Sequence, residues 1–182
     1  MDDIIRIAIS GKSGCGNTTI SKIVADTLGL QFINYTFRSL AEEMKLDLKK
    51  VLELAENNDN IDKKLDENQV KLAMESNGCV LGSRLAIWML KEADLKVYLK
   101  AKPETRAGRI VKREGESLES VREFTEKRDK QDHERYFRIY NIDNDDYSFA
   151  DMIIDTEKLT PEQIADMIVT GIREKKNGSK QI

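Results

Sequence analysis

Short apolar runs alternate with helical patterns along most of the chain. The five runs lie at residues 4–9, 30–33, 79–81, 95–99 and 152–155. Between them, apolar residues recur every three or four positions, which is the spacing of a helix with one buried face. Short buried strands that alternate with helices are typical of a parallel sheet covered by helices. The pattern therefore predicts an α/β fold with a five-stranded parallel sheet and helices on both faces.

Two long helical stretches interrupt this alternation. Between the second and third runs, residues 36–76 have a helical pattern with a break at 57–60. Between the fourth and fifth runs, one helix begins at Pro103 and ends at Gly115, and a second, highly charged helix covers residues 118–140. We predict a loop at 141–148, a last helix capped by Thr160 and Gln163, and a frayed tail at 175–182.

These patterns predict a single domain over residues 1–182. A chain of this length with 40% hydrophobic residues can bury one sizeable core. The predicted core combines residues 1–35, 77–105 and 145–176. Residues 36–76 form a helical insertion, and residues 106–144 form a lid region of two helices with a hinge at 114–116.

Composition narrows the partners and the location that we expect. The formal net charge is -3, so there is no basic field to attract nucleic acid. No apolar run approaches the roughly 20 residues of a membrane span, and the first residues lead into a strand without a signal-like segment. We therefore expect a cytoplasmic protein without nucleic-acid or membrane partners. We also expect a monomer, because no long apolar helix face is left without a core to enter.

The two cysteines and the single histidine do not indicate a metal site. Cys15 and Cys79 lack the paired spacing of a zinc site or a disulfide scaffold. His133 lies among charged residues of a helix, which favours an exposed side chain over a catalytic one.

The segment after the first predicted strand has the form of a phosphate-binding loop. Such loops read G-x-x-x-x-G-K-[ST] between a strand and a helix, and their glycines let backbone N–H groups surround a polyphosphate. The lysine position here holds Asn17, which brings no charge. Nine residues are predicted to bind nucleotide: Gly11, Lys12, Ser13, Gly14, Cys15, Gly16, Asn17, Thr18 and Thr19. Lys12 either replaces the missing charge or is a solvated loop residue.

Arginines repeat at helical spacing in the lid region. Arg106, Arg109 and Arg113 share one helix face, and Arg128, Asp132 and Arg135 share another. A hinged pair of such helices would close a row of cations over bound phosphates, although surface ion pairs explain the same spacing.

Two further arginines, Arg38 and Arg84, follow the second and third strands. Ligands of open parallel sheets bind beyond the carboxyl ends of the strands, so both arginines are expected in one crevice with the loop. Each either grips a monophosphate or anchors the start of a helix.

Together these residues resemble the nucleoside monophosphate kinases, and specifically the short cytidylate kinases of archaeal type. The similarity covers nearly the whole chain and includes the loop, Phe37-Arg38, Arg84-Leu85-Ala86, Arg135-Tyr136 and Ile154-Asp155-Thr156. It implies ATP and Mg²⁺ as cofactors, with Thr18 as a magnesium ligand. It further implies that the insertion closes on the acceptor and that Arg38 and Arg84 hold the acceptor phosphate.

The resemblance also implies roles for the charged residues of the two lid helices. Arg109 and Arg113 would belong to the ATP-side lid, whereas Arg128, Asp132 and Arg135 would contact the sugar and phosphates of CMP. The catalytic set then comprises Lys12, Arg109, Arg113, Arg128 and Arg135.

The sequence departs from this family pattern at three places. Asn17 replaces the loop lysine, Gly82-Ser83 stands where relatives carry an acidic residue, and Asn34-Tyr35-Thr36 is shorter than the usual segment. Our leading hypothesis is transfer of the γ-phosphoryl group of ATP to CMP or dCMP. The alternatives are a kinase-like nucleotide-binding protein with weak or no transfer activity, and a kinase of another small acceptor such as shikimate or a nucleoside.

Overall fold

A computed structural model describes residues 4–115 and 117–178. The strands are β1 (Arg6–Gly11), β2 (Gln31–Ile33), β3 (Cys79–Gly82), β4 (Leu95–Lys100) and β5 (Met152–Asp155). The helices are α1 (Asn17–Leu28), α2 (Phe37–Met44), α3 (Leu48–Asn57), α4 (Asp59–Glu75), α5 (Ala86–Met89), α6 (Pro103–Glu114), α7 (Leu118–Tyr140) and α8 (Pro161–Gly178).

The five strands form one parallel sheet in the order β2-β3-β1-β4-β5. Alternate side chains of β1 enter two different cores, as the period of two in a strand requires. Ile7 and Ile9 pack in the core that α1 and α8 cover, whereas Ala8 packs in the core that α4 and α5 cover. The predicted α/β fold with helices on both faces is confirmed.

The first strand and the last helix differ from the prediction by more than one residue. The first strand begins at Arg6 rather than at residue 4, because its pairing with β3 and β4 covers Arg6 to Gly11 and leaves Ile4 exposed. The last helix continues through Gly178 instead of fraying from 175, since Lys175 pairs with Asp151 and Lys176 with Asp94 at 2.7 and 2.8 Å. Glu116 of the predicted hinge and residues 179–182 of the predicted tail lie outside the described residues.

The inserted and lid helices bury small cores of their own. Leu40, Val51 and Ile61 join α2, α3 and α4, while Ala107 and Val121 lie between α6 and α7. None of the helices in the described ranges has the length and apolar character that crossing a membrane would require.

Candidate functional site

A cavity of about 800 Å³ opens beyond the carboxyl ends of β1 and β3. All nine residues of the predicted nucleotide loop line it, together with side chains of α4, α6 and α7. Its place agrees with the rule that open parallel sheets bind ligands at this edge. The fold therefore brings the loop, the insertion and the lid region to one cavity.

The loop has the backbone geometry that phosphate binding needs. Gly14 and Gly16 have φ angles of 83° and 92°, in the left-handed region that favours glycine. A Cβ atom at Gly14 would lie 2.7 Å from the carbonyl oxygen of Arg106, so a side chain has no room there. Gly16 caps α1 without a side-chain acceptor, which leaves the first N–H groups of the helix available to an anion.

Asn17 uses its amide within the protein. Its Nδ2 donates to the carbonyl oxygens of Ile9 and Ser83 at 3.1 and 3.2 Å, and its Oδ1 accepts from the hydroxyl of Ser21 at 3.0 Å. The side chain thus links the ends of β1 and β3 under the loop. Asn17 was predicted as a nucleotide ligand, but its side-chain hydrogen bonds go to the protein, so only its backbone N–H remains for a phosphate.

The second departure from the family pattern, Gly82, shares this space. A Cβ atom at Gly82 would lie 2.7 Å from Ser21 Oγ, 2.9 Å from Ser21 Cβ and 3.1 Å from Asn17 Oδ1. An acidic side chain at this position therefore conflicts with the hydrogen-bonded Asn17 and Ser21. The two departures form one packed arrangement.

This arrangement predicts that Gly82→Ala lowers the free energy of unfolding by about 1–3 kcal/mol, the usual cost of overpacking. Urea unfolding measures the change. Gly108→Ala is the matched control, because a Cβ at Gly108 meets no atom within 4 Å and alanine suits a helix better than glycine. An equal effect of both substitutions would contradict the close packing around Gly82.

Lys12 forms an ion pair with Asp145. Its Nζ lies 2.6 Å from Asp145 Oδ1, in the loop that follows α7. Both residues are partly exposed, and Lys12 also lines the cavity. A catalytic Lys12 therefore has to exchange Asp145 for a phosphate oxygen.

Arg84 and Arg135 are held at the cavity by one carboxylate. Arg84 pairs with Asp132 and donates to Ser13 Oγ at 2.8 Å. The buried Asp132 also accepts from Arg135 Nη2 at 2.9 Å, and Arg135 Nε lies 3.4 Å from Asp62 Oδ1. Both arginines line the cavity. Asp132 was predicted to contact substrate, but both its oxygens face arginines, so its contacts are those of a positioning residue.

Arg128 lines the same cavity from α7 and has no hydrogen bond or ion pair with the residues that the structure describes. Much of its side chain is accessible to water, yet desolvation by the cavity wall and the neighbouring Arg84 lower the pKa of Arg128, against the opposing effect of Asp132. A bound anion would stabilise this cation. Arg128 thus lies at the cavity, and its role as a phosphate ligand stays a prediction.

Two arginines of α6 line the cavity, and the third is buried against the backbone of the loop. Arg109 and Arg113 line the cavity, and Arg109 also donates to the carbonyl oxygen of Gly14 and to Thr156. Arg106 is buried, pairs with Asp129 at 2.6 Å and donates to the carbonyl oxygen of Ser13. Arg106 is therefore not part of the expected row of three cations, because it pairs with Asp129 on α7 and contacts the backbone of the loop.

Arg38 stands apart from this cluster. It is exposed in the first turn of α2 and is not part of the cavity lining within the described residues. The buried face of α2 carries Leu40, and a residue two positions earlier in a helix points to the opposite side. The expectation that Arg38 points into the crevice is not met in this conformation.

Sequence reasoning missed three polar residues of α4. Asp62, Asp66 and Gln69 are 5%, 8% and 3% exposed and line the cavity from the insertion side. Their spacing of i, i+4 and i+7 was the available signal, since it places them on one helix face. Polar residues on a buried face must find partners or serve a ligand.

Burial raises the pKa of Asp66 to about 6. A hydrogen bond from Tyr140 and the charge of Arg135 lower this pKa, whereas Asp62 raises it. Because the folded protein holds the proton more tightly than the unfolded chain, the contribution of Asp66 to stability is present at low pH and is lost as the pH rises through about 6.

We therefore expect the free energy of unfolding of the wild type, relative to Asp66→Asn, to fall by about 2 kcal/mol between pH 4 and pH 7. Urea unfolding of both proteins across this range measures the difference. A difference that stays constant or grows with pH would refute the raised pKa.

The chain is similar to proteins of one kinase family. The model of the cytidylate kinase-like family matches residues 6–158. A protein named cytidylate kinase 2 from Borreliella burgdorferi is 46% identical over 168 residues, which cover 90% of this chain and 93% of that protein. The cytidylate kinase of Archaeoglobus fulgidus is 38% identical over 174 residues, 94% of this chain and 97% of that protein.

A solved structure supports the fold independently. The shikimate kinase from Acinetobacter baumannii, solved in complex with shikimate, superposes with a TM-score of 0.66 and covers 95% of both chains. The two sequences are only 16% identical, so the likeness concerns the fold alone.

Proposed function

The chain belongs to the cytidylate kinase-like family, and from this premise we propose that it transfers the γ-phosphoryl group of ATP to CMP or dCMP. The products are ADP and CDP or dCDP. The observation that carries the proposal is the cavity that a phosphate-binding loop and the side chains of Arg84, Arg128 and Arg135 line together.

The loop serves the donor side of the reaction. The N–H groups at the start of α1 and around Gly14 and Gly16 can receive the phosphates of ATP, which need no side-chain charge for binding. Arg109 and Arg113 line the cavity from the lid region, where cations offset the charge that moves during transfer.

The arginines held by Asp132 serve the acceptor side. A guanidinium can grip a monophosphate through two parallel hydrogen bonds, and Asp132 fixes Arg84 and Arg135 for this purpose. The attacking phosphate oxygen is already ionised near neutral pH, so the reaction needs no general base. Positioning and charge therefore supply most of the catalysis.

Magnesium fits the loop as a companion of ATP. Mg²⁺ usually keeps several waters and binds phosphate oxygens together with one or two protein oxygens. Thr18, exposed in the first turn of α1 at the cavity wall, offers such a hydroxyl. When bound, the ion would neutralise phosphate charge, while Thr18 would orient it.

The alternative hypotheses are weaker. Binding without transfer was suggested by Asn17 and Gly82, but relatives named cytidylate kinase over most of the chain favour transfer. The likeness to a shikimate kinase is one of fold alone. We further propose that the protein acts as a cytoplasmic monomer on small nucleotides, which size-exclusion chromatography of the purified chain would test for the monomer.

A nucleotide panel tests the proposed function. ATP and Mg²⁺ are combined with CMP, dCMP, UMP or AMP, and the diphosphates are separated by ion-exchange chromatography. We expect the largest product yield with CMP or dCMP. No product with any of the four acceptors would refute the proposal.

A further inference from the structure

The cavity contains a polar wall that phosphate binding does not use. Asp66 and Gln69 belong to α4 and line the cavity, and only Asp66 carries a charge opposite to that of the arginines on α7. Both are more than nine-tenths buried. Burying such groups is costly unless each polar atom has a partner.

A chain of hydrogen bonds fixes their orientation. The hydroxyl of Tyr140 donates to Asp66 Oδ2 at 2.7 Å, and Gln69 Nε2 donates to Asp66 Oδ1 at 3.1 Å. An ionised carboxylate accepts only, so it holds the NH₂ end of the Gln69 amide toward itself. The opposite end, Gln69 Oε1, has no hydrogen-bond partner within the described part of the chain.

This unpaired oxygen is free to accept a hydrogen bond from a ligand in the cavity. Cytosine carries an exocyclic amino group at the ring position where uracil carries a carbonyl oxygen. A buried carbonyl can accept from the amino group, but it repels a second carbonyl and stays unpaired beside it. Sites built to hydrogen-bond one group reject the analogue that lacks it by large factors.

We propose that Gln69, oriented by Asp66 and Tyr140, accepts a hydrogen bond from the exocyclic amino group of cytosine and so selects CMP over UMP. The inference rests on the proposed function, because it takes a pyrimidine monophosphate as the acceptor. Gln69 is then the specificity-determining residue, and Asp66 is a positioning residue that acts through it.

Asp66→Asn tests the orientation directly. The Tyr140 hydroxyl donates to Asp66 Oδ2, and it keeps this hydrogen bond when the new side-chain oxygen takes the place of Oδ2, which turns the new NH₂ group toward Gln69. The Gln69 amide must then turn its oxygen toward position 66 and present its NH₂ group to the cavity. A donor at that point favours the carbonyl of uracil over the amino group of cytosine.

The experiment measures kcat/KM with ATP and the dissociation constants of CMP and UMP by calorimetry. The wild type is expected to prefer CMP by about 100-fold or more. Gln69→Leu removes the acceptor and should bring the preference close to one. Asp66→Asn should lower kcat/KM for CMP and raise it for UMP, a gain that general damage to the protein does not produce. Glu67→Leu, on the exposed face of the same helix, should keep the wild-type preference.

The outcomes separate the inference from the proposed function. A wild-type protein that binds CMP in preference to UMP without forming CDP refutes the proposed function and supports the pocket. A protein that forms CDP, and whose preference is unchanged in Gln69→Leu and Asp66→Asn, refutes the inference and supports the function. Thermal unfolding of each variant confirms that it is folded.

Discussion

Replacing Arg84 by alanine is expected to lower kcat/KM for CDP formation by about 10³-fold or more, the scale of one arginine that stabilises phosphoryl transfer. Arg84 contacts Ser13 of the loop and Asp132 of α7, so it joins the donor and acceptor sides of the cavity. Its loss would remove the proposed phosphate ligand and leave Asp132 with Arg135 alone.

Two further variants sharpen this experiment. Arg84→Lys keeps the charge but cannot reach Ser13, Asp132 and a phosphate at once, so we expect it to recover only a small part of the activity. Arg122→Ala removes an exposed arginine of α7 that pairs with Glu126 and should leave kcat/KM within about twofold of wild type. Steady-state kinetics with varied CMP measures all three, and similar activity of Arg84→Ala and Arg122→Ala would contradict the role of Arg84.

Replacing Lys12 by alanine is expected to lower kcat by about 10²–10³-fold, the loss that follows removal of one well-placed donor. The neutral amide of Asn17 cannot supply the charge of the usual loop lysine, and its hydrogen bonds go to Ile9, Ser83 and Ser21. Lys12 is a loop residue at the cavity, with Asp145 as its partner in this conformation.

Asp145→Asn is the matched control for Lys12. It breaks the same ion pair but keeps the ammonium group, so turnover should be retained or increased if Lys12 moves to the phosphates. Single-turnover kinetics separates the chemical step from product release. Unchanged turnover in Lys12→Ala would remove Lys12 from the mechanism and leave a surface ion pair, which typically contributes little to stability.

The sequence predicted the helix and strand features that depend on residues close together in the chain. Thr160 and Gln163 form the predicted reciprocal cap, with hydrogen bonds of 2.9 and 3.2 Å. The helix break predicted at 57–60 is present but narrower, because α3 ends at Asn57 and Asn58 caps α4, which begins at Asp59. These features depend on residues a few positions apart. The period of the apolar residues likewise sufficed for the parallel sheet.

The sequence pattern could not predict which residues pair with the arginines. Spacing places Arg106 and Arg109 on one helix face, but Asp129, 23 residues from Arg106, decides which of them enters the cavity. In the sequence Asn17 is only a missing charge, whereas the fold places Ser21 and Gly82 against its side chain. The polar residues of α4 are identified as part of the site by their burial and their place in the cavity lining, which the sequence does not give.

The most direct test of phosphoryl transfer is a balanced product measurement. The purified chain is incubated with ATP, Mg²⁺ and CMP, and ADP and CDP are quantified together, with Arg84→Ala as the parallel sample. Transfer predicts equal amounts of ADP and CDP from the wild type and almost none from the variant. Nucleotide binding by calorimetry without any CDP, or ADP formed without CDP, would contradict the assignment of this chain as a kinase of CMP.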